Sequence, residues 1–418
     1  MFQVLSRSWA LLLGMMLLMV GNGLQGTLLG VRGGIEGFST FEMSIVMSAY
    51  FAGFLGGSRV APEMIRRVGH VRVFAALASF ISAILILYPA FAHPVAWALG
   101  RVVIGFCFSG VYVTAESWLN NSADNTNRGK ALSVYMIVQM FGIVSAQVLL
   151  AMGDVSGYAL FIVSSVLVSI SFAPILLSIS PTPAFETAKP MRLKTLIQIS
   201  PLGCFGMFLL GGVFSAQFGM SAVYGVAAGL TIAQISLFVS SIYVGALLMQ
   251  YPIGWFSDRV DRRLVILIVA SLGGVMSLVA FSFDQYFSAL LVAAFIIGGT
   301  SNPLYSLLIA YTNDYLEADD MASASGGLIF INGMGAIAGP LVTGKMMDTF
   351  GTQAFFMVIA TLMLTLTGYA GYRMTQRSRD GVEDGLYAPV MPSSSPVAVE
   401  VASEYYIETA MDEEENET

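Results

Sequence analysis

One charged side chain stands deep inside an apolar run of this sequence. Arg101 lies six residues into the stretch 95–119, about 9 Å below its boundary at a helical rise of 1.5 Å per residue. A charge placed near the middle of a hydrocarbon layer costs about 2.5–3.5 kcal/mol, so it needs a purpose or a partner. Its planar guanidinium offers a donor fork that fits a carboxylate or phosphate. The chemistry available to it is attraction of an anionic group or tuning of a coupling proton; the alternative is a structural donor to backbone carbonyls or polar neighbours. Glu116, fifteen residues on, is about 22 Å along the same helix and out of reach for direct pairing. Arg101, Gly105, Phe108 and Tyr112 share one helical face, which should look into the protein. No Asp or Glu lies comparably deep: Glu36, Glu42, Asp154, Asp284 and Asp348 all fall at the ends of runs. A deep carboxylate proton carrier is therefore unsupported.

Neutral polar groups are more numerous. Asn22, Gln25, Gln139, Gln147, Gln217, Tyr243, Asn302, Tyr305 and Asn332 sit within apolar runs. Buried amides need partners, which makes these residues candidates either for contacts to a solute or for hydrogen bonds between helices. Among them Asn22, Gln25, Gln139, Gln217, Tyr243, Asn302 and Asn332 join Arg101 as the candidate substrate or coupling residues.

The elements that must carry these groups follow from composition. The chain has 418 residues, of which 56% are hydrophobic and 11% charged, with a mean hydropathy of +0.77. Those figures exclude an ordinary soluble enzyme and a disordered scaffold. Apolar stretches near 20 residues recur, each long enough to cross about 30 Å of hydrocarbon as a helix. Runs such as 74–91 and 264–283 lack the alternation of a β-barrel strand, so the expected fold class is an all-α membrane protein. Cys107 and Cys204 sit inside apolar runs, and His70 and His93 have no ligand partner at metal-binding spacing. No metal, no cofactor, no catalytic constellation and no nucleic-acid role is expected. The first run, 9–29, is too long for a signal-peptide core and should remain as a span.

Reading runs between charged or Gly/Pro/Asn punctuation predicts twelve spans near 8–30, 40–60, 71–92, 95–119, 130–152, 158–179, 198–223, 232–256, 264–283, 286–312, 323–347 and 353–374. With both termini cytoplasmic, sixteen of nineteen Lys and Arg residues fall inside, leaving Arg32 and Lys345 outside and Arg101 within a span. The positive-inside rule selects that orientation in a cell membrane, with the bacterial inner membrane favoured. Residues 180–197, carrying Pro181, Pro183 and Pro190 with three bases, read as a cytoplasmic linker. It separates an N-terminal six-helix bundle, 1–179, from a C-terminal one, 198–375. From Gln376 onward there are eleven acids against two bases, which leaves the remainder at net +2 although the whole chain is at −7. This acidic tail, 376–418, is expected to be disordered and dispensable for folding and transport.

An internal repeat supports the two halves. At a shift of 192, Ser39, Glu42, Ser44, Ser48 and Gly53 fall on Thr231, Gln234, Ser236, Ser240 and Gly245, and Gln25 falls on Gln217. Both starts have the form of a helix capping box. At a shift of 194, Met140, Ile143, Met152, Asp154, Gly157 and Phe161 fall on Met334, Ile337, Met346, Asp348, Gly351 and Phe355. Parallel six-helix repeats put a substrate path on the axis between them.

Between spans eight and nine the sequence reads Tyr251-Pro-Ile-Gly254-Trp-Phe-Ser-Asp258-Arg259-Val-Asp261-Arg262-Arg263. This resembles the G-x-x-x-D-R-x-G-R-R loop of the major facilitator superfamily, with Asp261 in place of the second glycine. The first-half segment keeps Arg66, Arg67, Gly69 and Arg72 but has Arg66 where that family usually has Asp. Span four carries Arg101-Val-Val-Ile-Gly105, similar to the family's R-x-x-x-G. The phrases around Arg67 to Arg72, Glu116 to Asn120 and Tyr251 to Arg259 look most like its YcaD-like branch. The resemblance covers roughly residues 8–375. It implies a secondary transporter that moves a small organic solute by alternating access, with a proton as the candidate coupling ion and a monomer expected; Arg101 adds a slight lean toward an anionic solute, and no enzyme activity is expected because no nucleophile-base or metal constellation is present in the sequence. Efflux of amphipathic drugs is the runner-up, although the Gly-Pro motif that drug exporters carry in span five is replaced by Gly142-Ile-Val-Ser-Ala-Gln147; a channel-like or sensor protein on the same fold is the other alternative. The resemblance further implies that Gly254, Asp258, Arg259, Arg262, Arg263, Arg67, Gly69, Arg72, Glu116 and Asp314 form a breakable cytoplasmic latch, with Glu116 as the carboxylate for Arg67 or Arg72. Anchoring of helix ends in the membrane interface is the plainer alternative.

Overall fold

The computed structural model describes residues 2–122, 128–177, 191–376, 387, 389–393, 395, 398 and 399. Among them all regular structure is helical. The helices that cross the bundle are α1 (Phe2–Ile35), α2 (Thr40–Val68), α3 (His70–Ala90), α4 (Pro94–Ser122), α5 (Arg128–Met152), α6 (Ala159–Leu177), α7 (Pro201–Ala227), α8 (Ile232–Ser257), α9 (Arg262–Ser282), α10 (Phe287–Asn313), α11 (Ala318–Phe350) and α12 (Ala354–Gln376). Eleven are long and apolar enough to cross a membrane. The other, α2, has 29 residues but is less apolar, because Ser44, Ser48, Gly53, Gly57 and Ser58 are buried against neighbouring helices rather than facing lipid. The expected spans correspond to these helices, with differences at their ends. The second runs eight residues beyond 60. The sixth breaks at Phe172, and the seventh starts at Pro201 after a separate short helix, Leu193–Ile199.

The repeat is visible as matched local chemistry. Ser39 and Thr231 both accept from the backbone N–H three residues on, and Glu42 and Gln234 both reach back to the cap N–H, so α2 and α8 begin with complete capping boxes. Further along, a Cβ at Gly53 would collide with the carbonyl oxygen of Val102, and one at Gly245 with that of Phe295. Gly105 and Gly298 repeat the arrangement from the other side, against Tyr50 and Ile242. The pairs α2–α4 and α8–α10 thus cross backbone to backbone, which only small residues permit.

Arg66, Arg67, Arg72, Arg259, Arg262 and Arg263 lie at one end of the bundle, called here the basic end. At the opposite end the two halves touch directly. The Ser48 hydroxyl donates to the Ile337 carbonyl at 2.6 Å, Gly30 and Gly34 lie against Ala222 and Val226, and Gly344 against Ser44.

Toward the basic end α2 still meets α11, with Arg59 over the Phe330 ring at 4.4 Å and Leu55 against Gly333, and the chain's own tail lies beside these contacts with bonds to both halves. The expectation of a disordered tail fails for the described residues 387, 389–393, 395, 398 and 399, of which Val390, Met391, Ser395, Ala398 and Val399 are buried. The physical reason lies in composition averaged too widely. Residues 385–399 contain no Asp, Glu, Lys or Arg, and the eleven acids flank this uncharged stretch on both sides. The expected linker lies mostly outside the described residues. Its last part packs on α11 through the short helix, where Leu193 and Leu196 lie near Gly327 and the Met191 N–H donates to Ser323.

Candidate solute cavity

A cavity of about 150 Å³ lies between the two halves. Its walls include Asn22, Gln25, Arg101, Gln217, Tyr243, Asn302 and Asn332, seven of the eight expected substrate or coupling residues. Gln139 is the exception: it is buried on α5 without reaching the cavity. Gln147 donates to the Gly23 carbonyl at 3.2 Å, so this amide ties α5 to α1.

The first-half wall is built around Arg101. Its side chain is buried, donates to Gln25 Oε1 at 3.0 Å, approaches the Met47 sulfur at 3.5 Å and lies 4.6 Å over the Tyr50 ring. Gln25 in turn donates to Asn22 Oδ1 at 3.2 Å, so Asn22, Gln25 and Arg101 form one chain of hydrogen bonds across α1 and α4. Arg101 Nε has no partner. Stacking on Tyr50 compensates part of the lost hydration of the cation. Among the described residues lining the cavity Arg101 carries the single formal charge, and no carboxylate lines it.

The second-half wall is neutral. Gln217 Oε1 accepts from Ser301 at 3.0 Å while its Nε2 is buried without a partner. The residue sits in a π-helical turn, Ala216–Met220, inside α7. Such turns widen the helix and recur at functional positions. Asn302 donates to Gly298 and Asn332 to Met207, both at backbone carbonyls. Gln25 and Gln217 occupy equivalent places in the repeat yet differ in duty: one holds a cation, the other presents an unused amide N–H.

Aromatic rings fill the space between, and most were not singled out in the sequence. Tyr50, Phe51 and Phe54 come from α2, Tyr112 from α4, and Phe214 and Phe218 from α7. Phe218 stacks on Tyr243 with centroids 4.9 Å apart. The signal is present: Tyr50/Phe54 and Phe214/Phe218 have i, i+4 spacing, and Phe51 falls on Tyr243 at the repeat shift of 192.

The expected latch residues do come together at the basic end, but in pairs other than those anticipated. Arg67 bonds to Glu63 at 2.6 Å and Arg66 to the same carboxylate at 2.7 Å. Glu116 does not meet Arg67 or Arg72. Arg67 is exposed, already engaged one turn away on its own helix, whereas Glu116 is buried inside the bundle. Arg72 is exposed at the start of α3, and Gly69 makes the α2–α3 corner with φ of +86°, a conformation that favours glycine. In the second half Arg262 pairs with Asp314 at 2.5 Å with both side chains buried, Arg263 pairs with Asp261 at 2.8 Å, and Arg259 stacks on Trp255 at 4.2 Å. These pairs each lie within one half. Asp258 instead accepts the Tyr387 N–H at 2.7 Å, and Gly254 packs against the Tyr387 ring. Burial pushes the Asp258 carboxyl above its usual range, opposed in part by that N–H and by Arg262 and Arg259.

Two family models match, one in each half: the Major Facilitator Superfamily model over residues 203–386 and the Sugar (and other) transporter model over residues 30–195. The chain belongs to the major facilitator superfamily. This facilitator is 27% identical over 375 residues to an uncharacterized MFS-type transporter YcaD of Escherichia coli O45:K1 (strain S88 / ExPEC), spanning 87% of this chain and 95% of that protein. Its fold is similar to that of the nucleoside transporter NupG, in a mutant form, with a TM-score of 0.74 at 16% identity, covering 88% of this chain and all of that one. It is also similar to a bacterial homolog of the human lysosomal transporter Spinster, in an inward-facing and unoccupied conformation. There the TM-score is 0.69 at 13% identity, over 97% and 98% of the two chains. Likenesses at this identity concern the fold alone. The facilitator is thus a multi-pass membrane transporter of the superfamily whose loop motifs it carries.

Proposed function

We propose that the protein is a secondary transporter that moves a small organic anion by alternating access, with the basic end and both termini on the cytoplasmic side. The observation that carries the anionic preference is Arg101: a guanidinium with an unpartnered Nε, in a cavity lined by no carboxylate among the described residues. The flanking rings of Tyr50, Phe54, Phe218 and Tyr243 suit a solute with a flat portion as well as an acid group. Gln217 Nε2 supplies a second, neutral donor from the opposite half, so a solute held by both would bridge the halves. Contact of the halves at the far end, with the tail inserted between them toward the basic end, fits a state open toward the basic end. The same aromatic wall favours efflux of amphipathic compounds as the second reading, in which Arg101 would be structural. A monomer is sufficient for either reading, and a coupling proton fits the first.

The two readings separate in a thermal-shift screen of purified protein, because a ligand that binds the folded state stabilises it by mass action. The expected outcome is stabilisation by carboxylates or phosphates that carry a ring, and not by their neutral or cationic analogues. Arg101→Lys keeps the charge but loses the planar fork, and Arg101→Ala loses both. Affinity should fall about tenfold or more in each, the scale of a charge-assisted hydrogen bond. Unchanged affinity in both variants, or stabilisation by cationic amphiphiles alone, refutes the anionic reading. Counterflow in proteoliposomes then distinguishes a carrier from a channel.

A further inference from the structure

The segment 387–399 makes bonds to both halves of the bundle. Starting from the second half, the Tyr387 N–H donates to Asp258 Oδ1 at 2.7 Å. Three residues on, Val390 makes a reciprocal pair with Ser306 on α10: its N–H donates to the hydroxyl at 2.9 Å, and the hydroxyl donates to its carbonyl at 3.1 Å. Met391 then packs with Met140 of α5 and Ala246 of α8, so one side chain touches both halves. Met391, Pro392 and Ser393 line the solute cavity together with Tyr112 of α4. The chain returns along the first half. The Ser395 N–H donates to Glu116 Oε2 at 2.8 Å, and Ala398 packs on Leu132 of α5.

Glu116 is the strongest evidence that this is a built site. A buried carboxylate without donors is costly, and those of Glu116 come from the tail and from the Tyr135 hydroxyl at 3.4 Å. Asp258 likewise takes a tail N–H. The segment itself is suited to the position: it has no charged residue, it runs without regular structure through Pro389–Met391, which leaves the Val390 N–H to bond sideways, and it turns at Pro392 and Ser393 before a helical end at Ala398 and Val399.

We propose that residues 387–399 are an intramolecular ligand of the transporter, a plug that seats in the opening at the basic end and closes the solute cavity until it is displaced. The site it occupies recognises an uncharged, proline-containing peptide through Asp258, Ser306 and Glu116. The plug forms the cavity's floor, so a solute can enter or leave through the basic end only after Met391 and Pro392 withdraw. Seating also joins α4 and α5 to α8 and α10 through one segment, which opposes closer approach of the halves at that end. The proposal rests on the alternating-access reading for its consequence in transport, and on the contacts alone for its geometry.

The test reads access to the cavity and needs no solute. With Cys107 and Cys204 replaced by alanine, Ser58→Cys places one thiol in the cavity wall. The full chain is reconstituted in nanodiscs, where both faces meet a polar maleimide. Labelling should be slow in the full chain and at least tenfold faster after Ser395→Pro, which removes the N–H given to Glu116 without shortening the protein. Truncation after residue 386 should do the same. A disulfide between Met391→Cys and Ala246→Cys should keep labelling slow until it is reduced. Equal labelling in the full chain, Ser395→Pro and the truncated protein overturns the plug. Faster labelling in a released protein that still moves no solute leaves the plug standing and counts against the transport reading.

Discussion

The two halves solve the same problem at the basic end with different chemistry. In the second half, the start of α9 is tied to the end of α10 by Arg262 and Asp314, both almost fully buried and 2.5 Å apart. In the first half His70 stands at the repeat position of Arg262, Ser117 matches Asp314 when Trp118-Leu119 is set on Tyr315-Leu316, and His70 Nε2 lies 2.9 Å from the Ser117 hydroxyl. The requirement common to both is a polar tie between the third and fourth helices of a half. The charge is an addition of the second half only. Because the first-half tie is neutral, the neighbouring carboxylate, Glu116, has no arginine to satisfy and is available to the tail.

Breaking the ionic tie should give the largest effect. Asp314→Ala leaves the Arg262 guanidinium buried without its carboxylate, and removal of one member of a buried pair costs about 3–5 kcal/mol. A sharp fall in the detergent unfolding temperature and in yield is expected. Next come the glycine crossings, where the halves should behave alike. Gly53→Ala and Gly245→Ala each force a methyl group into a carbonyl oxygen, at about 1–3 kcal/mol for an overpacked site. Similar losses of thermal stability in the two variants would confirm the shared architecture, and a loss in only one would break the symmetry argument.

The neutral tie should matter less than its ionic counterpart. Ser117→Ala removes one hydroxyl from His70, worth about 1 kcal/mol in denaturant titration of the purified protein. If Ser117→Ala proved as damaging as Asp314→Ala, the contrast between the halves would collapse. Smallest are the exposed capping boxes. Ser39→Ala and Thr231→Ala should each lower stability by about 0.5 kcal/mol, the low end for an N-cap, with little difference between them.

Much of this organisation is legible in the sequence because it depends on local periodicity. Capping boxes, apolar length and the 192-residue shift place Ser39, Thr231, Gly53 and Gly245 without knowledge of the tertiary fold. The depth of Arg101 and the amides of α1, α7, α10 and α11 follow in the same way. Partner choice does not. Whether Glu116 meets Arg67 or the tail depends on which helix faces look inward and on what fills the space between halves, and neither has a sequence period. The π-helical turn at Gln217 is likewise invisible, since it shifts the helical phase without changing any residue type. The tail misleads for a third reason: a net charge averaged over 376–418 conceals the uncharged run 385–399 that does the binding.

The seated segment is joined to α12 by only the ten residues between Gln376 and Tyr387. A tether of that length holds its ligand at an effective concentration of about millimolar. A segment with only millimolar intrinsic affinity would therefore keep its site about half filled at any dilution of the protein. A solute approaching from the basic end must compete with that standing concentration, while one arriving from the opposite end meets no such competitor until it has already been bound. The same carrier would then turn over unequally in its two directions, a rectification that needs no difference in the solute-binding residues.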